Sequence, residues 1–390
     1  ERYGPLSTLT DRASVTLGNV SIDGNDPIDV GSHAVSFNNY QADNLENSAS
    51  ITLGELSIRG NHIDAGGDGI AITRSSIGFY ADDDSHINIG EVHIASNTVD
   101  AVAPIHILYD SVAESMYQRA TLTMGDTYVR DNALSSPSAT SHGLLIDYDP
   151  GEPDTCRSMD DQAYAELPAH VITGNTFDVG GDGIYFHADY VADGMWHDAT
   201  CDVGGALIDD NVFNDQDAGM DHGVYWFYDQ FCYDNVDDSR SIAGDVTITN
   251  NDFYSIGLDA VYVYYYYVGS GIQNNASLQA GDVSITDNTV AGAGGNGFLV
   301  DYGPVYNYDT TTVTFGSLDI ADNDVSSVTL DSISVSYWLD AEGTSTMTIG
   351  NLDITGNDLR DAAGDGVYLS YDVEADNTSS VTVGRPLIQD

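Results

Sequence analysis

The sequence contains no lysine. Its only fixed cations are ten arginines, set against 62 aspartates and glutamates, so the formal charge at neutral pH is −52. Nucleic acid is thereby excluded as a partner, because its binding rests on cationic side chains that release phosphate counterions. Long apolar runs are also missing. None approaches the roughly 18 to 20 residues of a bilayer span, so membrane insertion is not expected. The opening "ERYGPLSTLT" lacks a cationic stretch followed by an apolar one, so a secretory signal, if used, has already been removed. Cysteine is scarce. Cys156, Cys201 and Cys232 show no CxxC spacing and no His/Cys metal pattern, which excludes a thiolate zinc site and allows one intramolecular bridge at most.

What is present is apolar and aromatic enough to fold: 42% of residues are hydrophobic and 10% aromatic, unlike the charged, apolar-poor composition of disordered chains. Self-repulsion at this charge calls for screening. A saline or divalent-rich medium follows as the expectation, with the protein secreted or at the cell surface, as in salt-adapted microbes.

The organisation is repetitive. "SIRGNHIDAGGDGIAI" at 57–72 returns as "VITGNTFDVGGDGIYF" at 171–186 and "DITGNDLRDAAGDGVYL" at 353–369. Aligned on the asparagine after each "xIxxN" strand, the chain gives Asn25, Asn61, Asn97, Asn132, Asn175, Asn211, Asn251, Asn288, Asn323 and Asn357, ten copies spaced 34 to 43 residues apart. A glycine closing an apolar alternation keeps the same beat, in "ITLG" at Gly54, "INIG" at Gly90 and "MTIG" at Gly350. Within a copy the apolar residues alternate with polar ones, the period of strands with one buried face. A unit of this size cannot bury that face alone, and stacking copies makes the strands parallel and aligns like residues. The expected fold is all-β, a right-handed parallel β-helix or β-solenoid of about ten coils. Residues 14–384 form the repeat domain, with an N-terminal segment at 1–13 and a C-terminal end at 385–390. Each asparagine is expected in a tight turn, where its short side chain tolerates the left-handed region, and in a ladder of amides bonded along the rod.

On its "GN" turns and G-D-G-I/V turns, the stretch from about 14 to 384 resembles the right-handed parallel β-helix, or pectate-lyase-like, superfamily. That superfold hosts lyases, hydrolases, adhesins and fibres alike. The resemblance implies, for the lyases, calcium-binding acids and an Arg or Lys base. Lysine is absent, and Arg59, Arg74, Arg119, Arg130 and Arg240 share no common place in the repeat. The hydrolases of the fold imply clustered aspartates, a His-Gly pair and an Arg-Ile-Lys element. Asp209 and Asp210, with His222 and Gly223, are the nearest matches, and the Arg-Ile-Lys element is missing. No catalytic constellation results, and no enzymatic activity is expected.

Calcium is the one cofactor with candidate ligands: Asp68, Asp182 and Asp365 in the G-D-G turns, and Asp82, Asp83 and Asp84 in "YADDDSH". They do not recur every nine residues as calcium-binding repeats do, so the G-D-G motif is expected to serve shape, with glycine supplying special backbone angles and aspartate capping the turn. His142 and His222 are expected as polar turn residues. Aromatic and acidic residues follow the third strand of nearly every copy, as in "IYFHADY", "VYWFYDQF" and "VYVYYYYV", and predict a stripe suited to polysaccharide or to contact between rods. The cysteines fall 21 to 26 residues after their asparagines, in comparable loops, with Cys156–Cys201 favoured over Cys201–Cys232. No atypical cap is legible at either end of the repeat, so head-to-tail self-association is expected, aided by Arg2, Arg12, Arg360 and Arg385 and by the apolar Val381 and Val383. The leading expectation is an extracellular fibre, sheath or matrix subunit; the alternatives are a polysaccharide-binding or polysaccharide-degrading β-helix, or the rod segment of an adhesin or tailspike.

Overall fold

The computed structural model describes residues 9–40, 44–148, 155–214 and 219–389, and Arg2 lies outside them. Among the described residues there are strands and no helix, and every named strand pairing is parallel. The chain is a β-solenoid of about ten coils, and each coil contributes strands to four rows. The first row runs from Ser14–Leu17 to Ser380–Val383 and the second from Val20–Asp23 to Pro386–Gln389, eleven strands in each. The third runs from Ile28–Val30 to Asp358–Arg360 and the fourth from Val35–Tyr40 to Val367–Ala375. In the second and third coils these last two rows fuse into single strands, His62–Ser75 and Thr98–Asp110. Pairing extends past the sequence-read boundaries: Pro386–Gln389 pairs with Leu352–Thr355, and Leu9 bridges to Leu45.

Alternation explains the strands. In the second row Ile22 pairs with Ile58 and Ile58 with Ile94, and further along Ile248 pairs with Ile285. Ile58, Ile94, Ile248 and Ile285 are fully buried, so identical shapes stack up the axis at about 4.8 Å per coil.

The asparagines form a continuous ladder. Asn61 shows the pattern: its Oδ1 accepts the Asn25 backbone N–H at 3.1 Å and the Asn25 amide at 2.8 Å, while its own Nδ2 donates to Asn97 Oδ1 at 2.9 Å and to the Ile22 carbonyl at 2.9 Å. The same links join each asparagine to the next as far as Asn357. One expectation is corrected. The left-handed residue is not the asparagine but the one before it, Gly24, Gly60, Ser96, Asp131, Gly174, Asp210, Asn250, Asp287, Asp322 and Gly356. That residue turns the chain so that the asparagine points inward. The repeat glycines answer a different need, since a Cβ on Gly350 would lie 2.5 Å from the Ser317 backbone nitrogen; only glycine lets successive coils approach so closely at this corner.

Arg59 and Arg130 share one register position, linked through Ala95, which corrects the reading that they occupy unrelated places. Arg74 is buried, with its guanidinium 5.7 Å from the centre of the Phe37 ring. Burial lowers its pKa to about 10.

Cys156 and Cys201 are joined in a disulfide, with Cα atoms 6.1 Å apart, and Cys232 is a buried free thiol. Cys156 and Cys232 occupy turns, but Cys201 lies within the first-row strand Thr200–Val203, so the three do not share a loop position. Denatured, non-reduced protein should titrate one thiol per chain; three would remove the bridge. Replacing Asn288 with leucine leaves the N–H and amide of Asn251 without their acceptor. At about 1 to 3 kcal/mol for each buried group left unpaired, thermal melting should fall by several degrees. A variant that melts with the parent would show that the ladder does not stabilise the rod.

Candidate functional site

The G-D-G turns stand between the third and fourth rows, and a second ladder climbs their edge. Here the side chain of one coil accepts from the backbone of the next. The Asp182 N–H donates to His142 Nδ1 (3.1 Å), the His222 N–H to Asp182 Oδ1 (3.0 Å), the Asn296 N–H to Asp259 Oδ1 (2.6 Å), the Asp331 N–H to Asn296 Oδ1 (3.1 Å) and the Asp365 N–H to Asp331 Oδ1 (2.7 Å). The Asp68 N–H reaches His33 Nδ1 at 3.3 Å in the same way. Aspartate therefore tethers the neighbouring coil instead of capping its own turn.

Histidine and aspartate alternate in the middle of this column. His142 and His222 flank Asp182 at 3.0 and 2.7 Å, and His222 also faces Asp259 at 3.6 Å. Burial works against a charged imidazole at His222, but the hydrogen bond to Asp182 and the nearby Asp259 carboxylate overcome it and raise the pKa to about 9. Burial likewise opposes ionisation of Asp182, and the two histidines still hold its carboxyl below the usual range. His222 is thus a charge partner that keeps the Asp182 and Asp259 carboxylates apart. The signal was in the sequence, as His33, His142 and His222 occupying the place that aspartate holds in other copies.

Beyond the turn, the fourth row presents three outward columns over its middle coils. Tyr185, Tyr225 and Tyr262 form the first, His187, Phe227 and Tyr264 the second, and Asp189, Asp229 and Tyr266 the third. All are half-buried. The rings lie over one another: Tyr225 on Tyr262 at 5.0 Å and 9°, Phe227 on Tyr264 at 5.1 Å and 8°. On the inner face Tyr228, Tyr265, Tyr302, Tyr337 and Tyr371 stack in turn at 4.9 to 5.1 Å between centroids. Burial pushes the inner hydroxyls well up, as at Tyr265 and Tyr302. His170 is a core residue with Nε2 3.0 Å from the Tyr148 hydroxyl, and burial drives its pKa down to about 3.

The remaining sequence candidates are dispersed. The Asp83 N–H donates to Asp82 Oδ1 at 2.8 Å, and Arg119 holds Asp84 at 2.7 Å. Asp209 accepts from the Asn250 amide at 2.9 Å, at the end of a second-row strand and at a different corner from His222. Arg12 donates its N–H to the Asn47 carbonyl; Arg360 pairs with Asp324 and, at 3.2 Å, with Asp358; Arg385 donates its N–H to Asn351 Oδ1 at 3.2 Å. Val381 and Val383 pair with Met347 and Ile349. Asp68, Asp82, Asp83, Asp84, Asp182 and Asp365 do not converge. Among the described residues, two groups bring three ligand atoms within 4.8 Å of one another: Asp160, Asp161 and His197, and His187, Asp189 and Asp229.

Compared with known proteins, the chain matches no family model, no curated protein and no solved structure. Its class is therefore defined by its own architecture, a parallel β-solenoid built of laddered coils.

A histidine whose folded pKa is raised contributes stability fully below its unfolded value near 6.5 and loses it as pH rises through the folded one. The His222 contribution, on the order of 3 kcal/mol, should therefore disappear between about pH 7 and 10. His222→Asn, which copies Asn296 of the same column, should flatten that pH dependence in thermal melting. Parallel profiles for parent and variant would contradict the assignment.

Proposed function

We propose that the chain is a non-catalytic structural rod of the cell exterior, whose copies associate coil on coil, head to tail, in a saline or calcium-containing medium to build a fibre, sheath or matrix. The observation that carries this reading is the one-way sense of the asparagine ladder. Every rung passes its donors to the Oδ1 of the next, so the Asn25 coil offers an acceptor where the Asn357 coil offers a donor. The strand edges match in the same way: Ser14–Leu17 and Val20–Asp23 at one face, Ser380–Val383 and Pro386–Gln389 at the other. A contact between unlike faces does not close on itself and extends into a filament.

Half-buried Leu17, Val20 and Ile22 at one face, and Val367, Leu369 and Val381 at the other, supply a short-range attraction that salt leaves intact while it screens the charge. The disulfide is of a kind that persists in oxidising compartments. A polysaccharide groove is less well supported, because sugar stacking needs open ring faces and the outer aromatics of the middle coils spend theirs on one another.

Light scattering and electron microscopy across ionic conditions test the reading. Rods should lengthen in high salt or calcium and shorten in low salt with a chelator. Val381→Asp with Val383→Asp should leave short particles under all conditions. A parent chain that stays monodisperse near 41.6 kDa throughout would overturn it.

A further inference from the structure

On the outer face of the fourth row, Asp189 pairs in register with Asp229 of the next coil. Carboxylates at matching positions of adjacent strands sit about 5 Å apart and repel. In the column of His142, Asp182, His222 and Asp259, alternation avoids this. Here the register offers no such relief, since the next residue of the column is Tyr266. Asp229 Oδ1 is buried and has no hydrogen-bond partner, an acceptor left for a cation.

His187 lies two residues before Asp189, on the same face of the strand Ile184–Asp189. Its ring is held from two neighbouring coils. Asp147 engages Nδ1 at 3.2 Å, and the Phe227 ring stacks on it at 5.3 Å. One ligand atom from each of His187, Asp189 and Asp229 falls within 4.8 Å of the others. A carboxylate that fixes one imidazole nitrogen and leaves the other for an ion is the usual outer-shell arrangement of metal-binding histidines.

We infer that His187, Asp189 and Asp229 form a site for a first-row divalent transition ion, with zinc, manganese and cobalt as its chemical class. An imidazole beside two carboxylates suits these metals, whereas calcium takes six to eight oxygen ligands and rarely nitrogen. The ion would neutralise the Asp189 and Asp229 pair and clamp two coils together. The group at Asp160, Asp161 and His197 lacks this burial, with the His197 side chain 59% exposed and already paired to Asp160, and it carries no such inference.

The test uses the full chain, stripped with a chelator, in high salt with millimolar calcium so that diffuse binding to the acidic surface is already saturated. Zinc titrated by calorimetry should bind one equivalent at least tenfold more tightly than calcium. Cobalt should give a visible absorption spectrum with nitrogen coordination. His187→Gln and Asp229→Asn, each checked for folding by circular dichroism, should each abolish the stoichiometric zinc event and the cobalt spectrum. Zinc binding no tighter than calcium, a cobalt spectrum without nitrogen coordination, or parent-like zinc binding in folded His187→Gln protein would overturn the assignment. Metal-free protein in which Asp189 and Asp229 instead share a proton would show as the first of these outcomes.

Discussion

The structure depends on a buried row of amides. A side-chain amide in an apolar interior is costly unless all of its donors and acceptors are met, and the ladder from Asn25 to Asn357 meets them with one geometry repeated in every coil. From Asn61 to Asn323 each Oδ1 takes two donors from the coil before, and each Nδ2 reaches the coil after and an isoleucine or valine carbonyl of the second row. Because the bonds point one way, they polarise each other along the axis. The left-handed residue before each asparagine, the alternating strands on either side and the tight glycine corner all serve to bring the next amide to the same place.

Strict register has a price on the surface. In a parallel solenoid every residue lies over its own counterpart, so a chain of charge −52 risks building columns of like charge. Some columns dilute it. Histidine or asparagine separates the aspartates of the G-D-G turn from Asp182 to Asp331, and in the column through Asp23, Arg59, Ala95, Arg130, Thr173 and Asp209 arginine does the same work. Where acids do coincide, as at Asp319 and Asp353, burial and then the neighbouring charge push the Asp319 carboxyl pKa up. The acidity of the molecule is thus arranged column by column, and the exceptions mark the places where a counter-ion has most to offer.

Much of this was legible in the sequence. Alternation at Ile58, Ile94 and Ile285 predicts buried strands, and the even spacing of the asparagines predicts stacking, because both are short-range patterns that each copy carries in full. The side-chain partners in the turns were harder to read. His142 and His222 meet Asp182 although they stand further from Asn132 and Asn211 than Asp182 does from Asn175, and counting from the nearest asparagine cannot say where the extra residues go. The same ambiguity placed Cys201 in a loop when it lies on a strand. Asn61 looked like a left-handed turn residue because asparagine favours that region; its neighbour Gly60 takes the conformation, since burial of the amide prevails over local preference. Arg74 and His170 in the core are visible only when the inward positions of neighbouring coils are known.

Native-state hydrogen exchange at the ladder asparagines tests the central claim most directly. The backbone amides of Asn61, Asn97, Asn132, Asn175, Asn211, Asn251, Asn288 and Asn323, each bonded to an Oδ1 of the following coil, should belong to the slowest class and exchange only through global unfolding. Exchange at these positions by local opening, at the rate of exposed turn residues, would contradict a structure held together by its amide row.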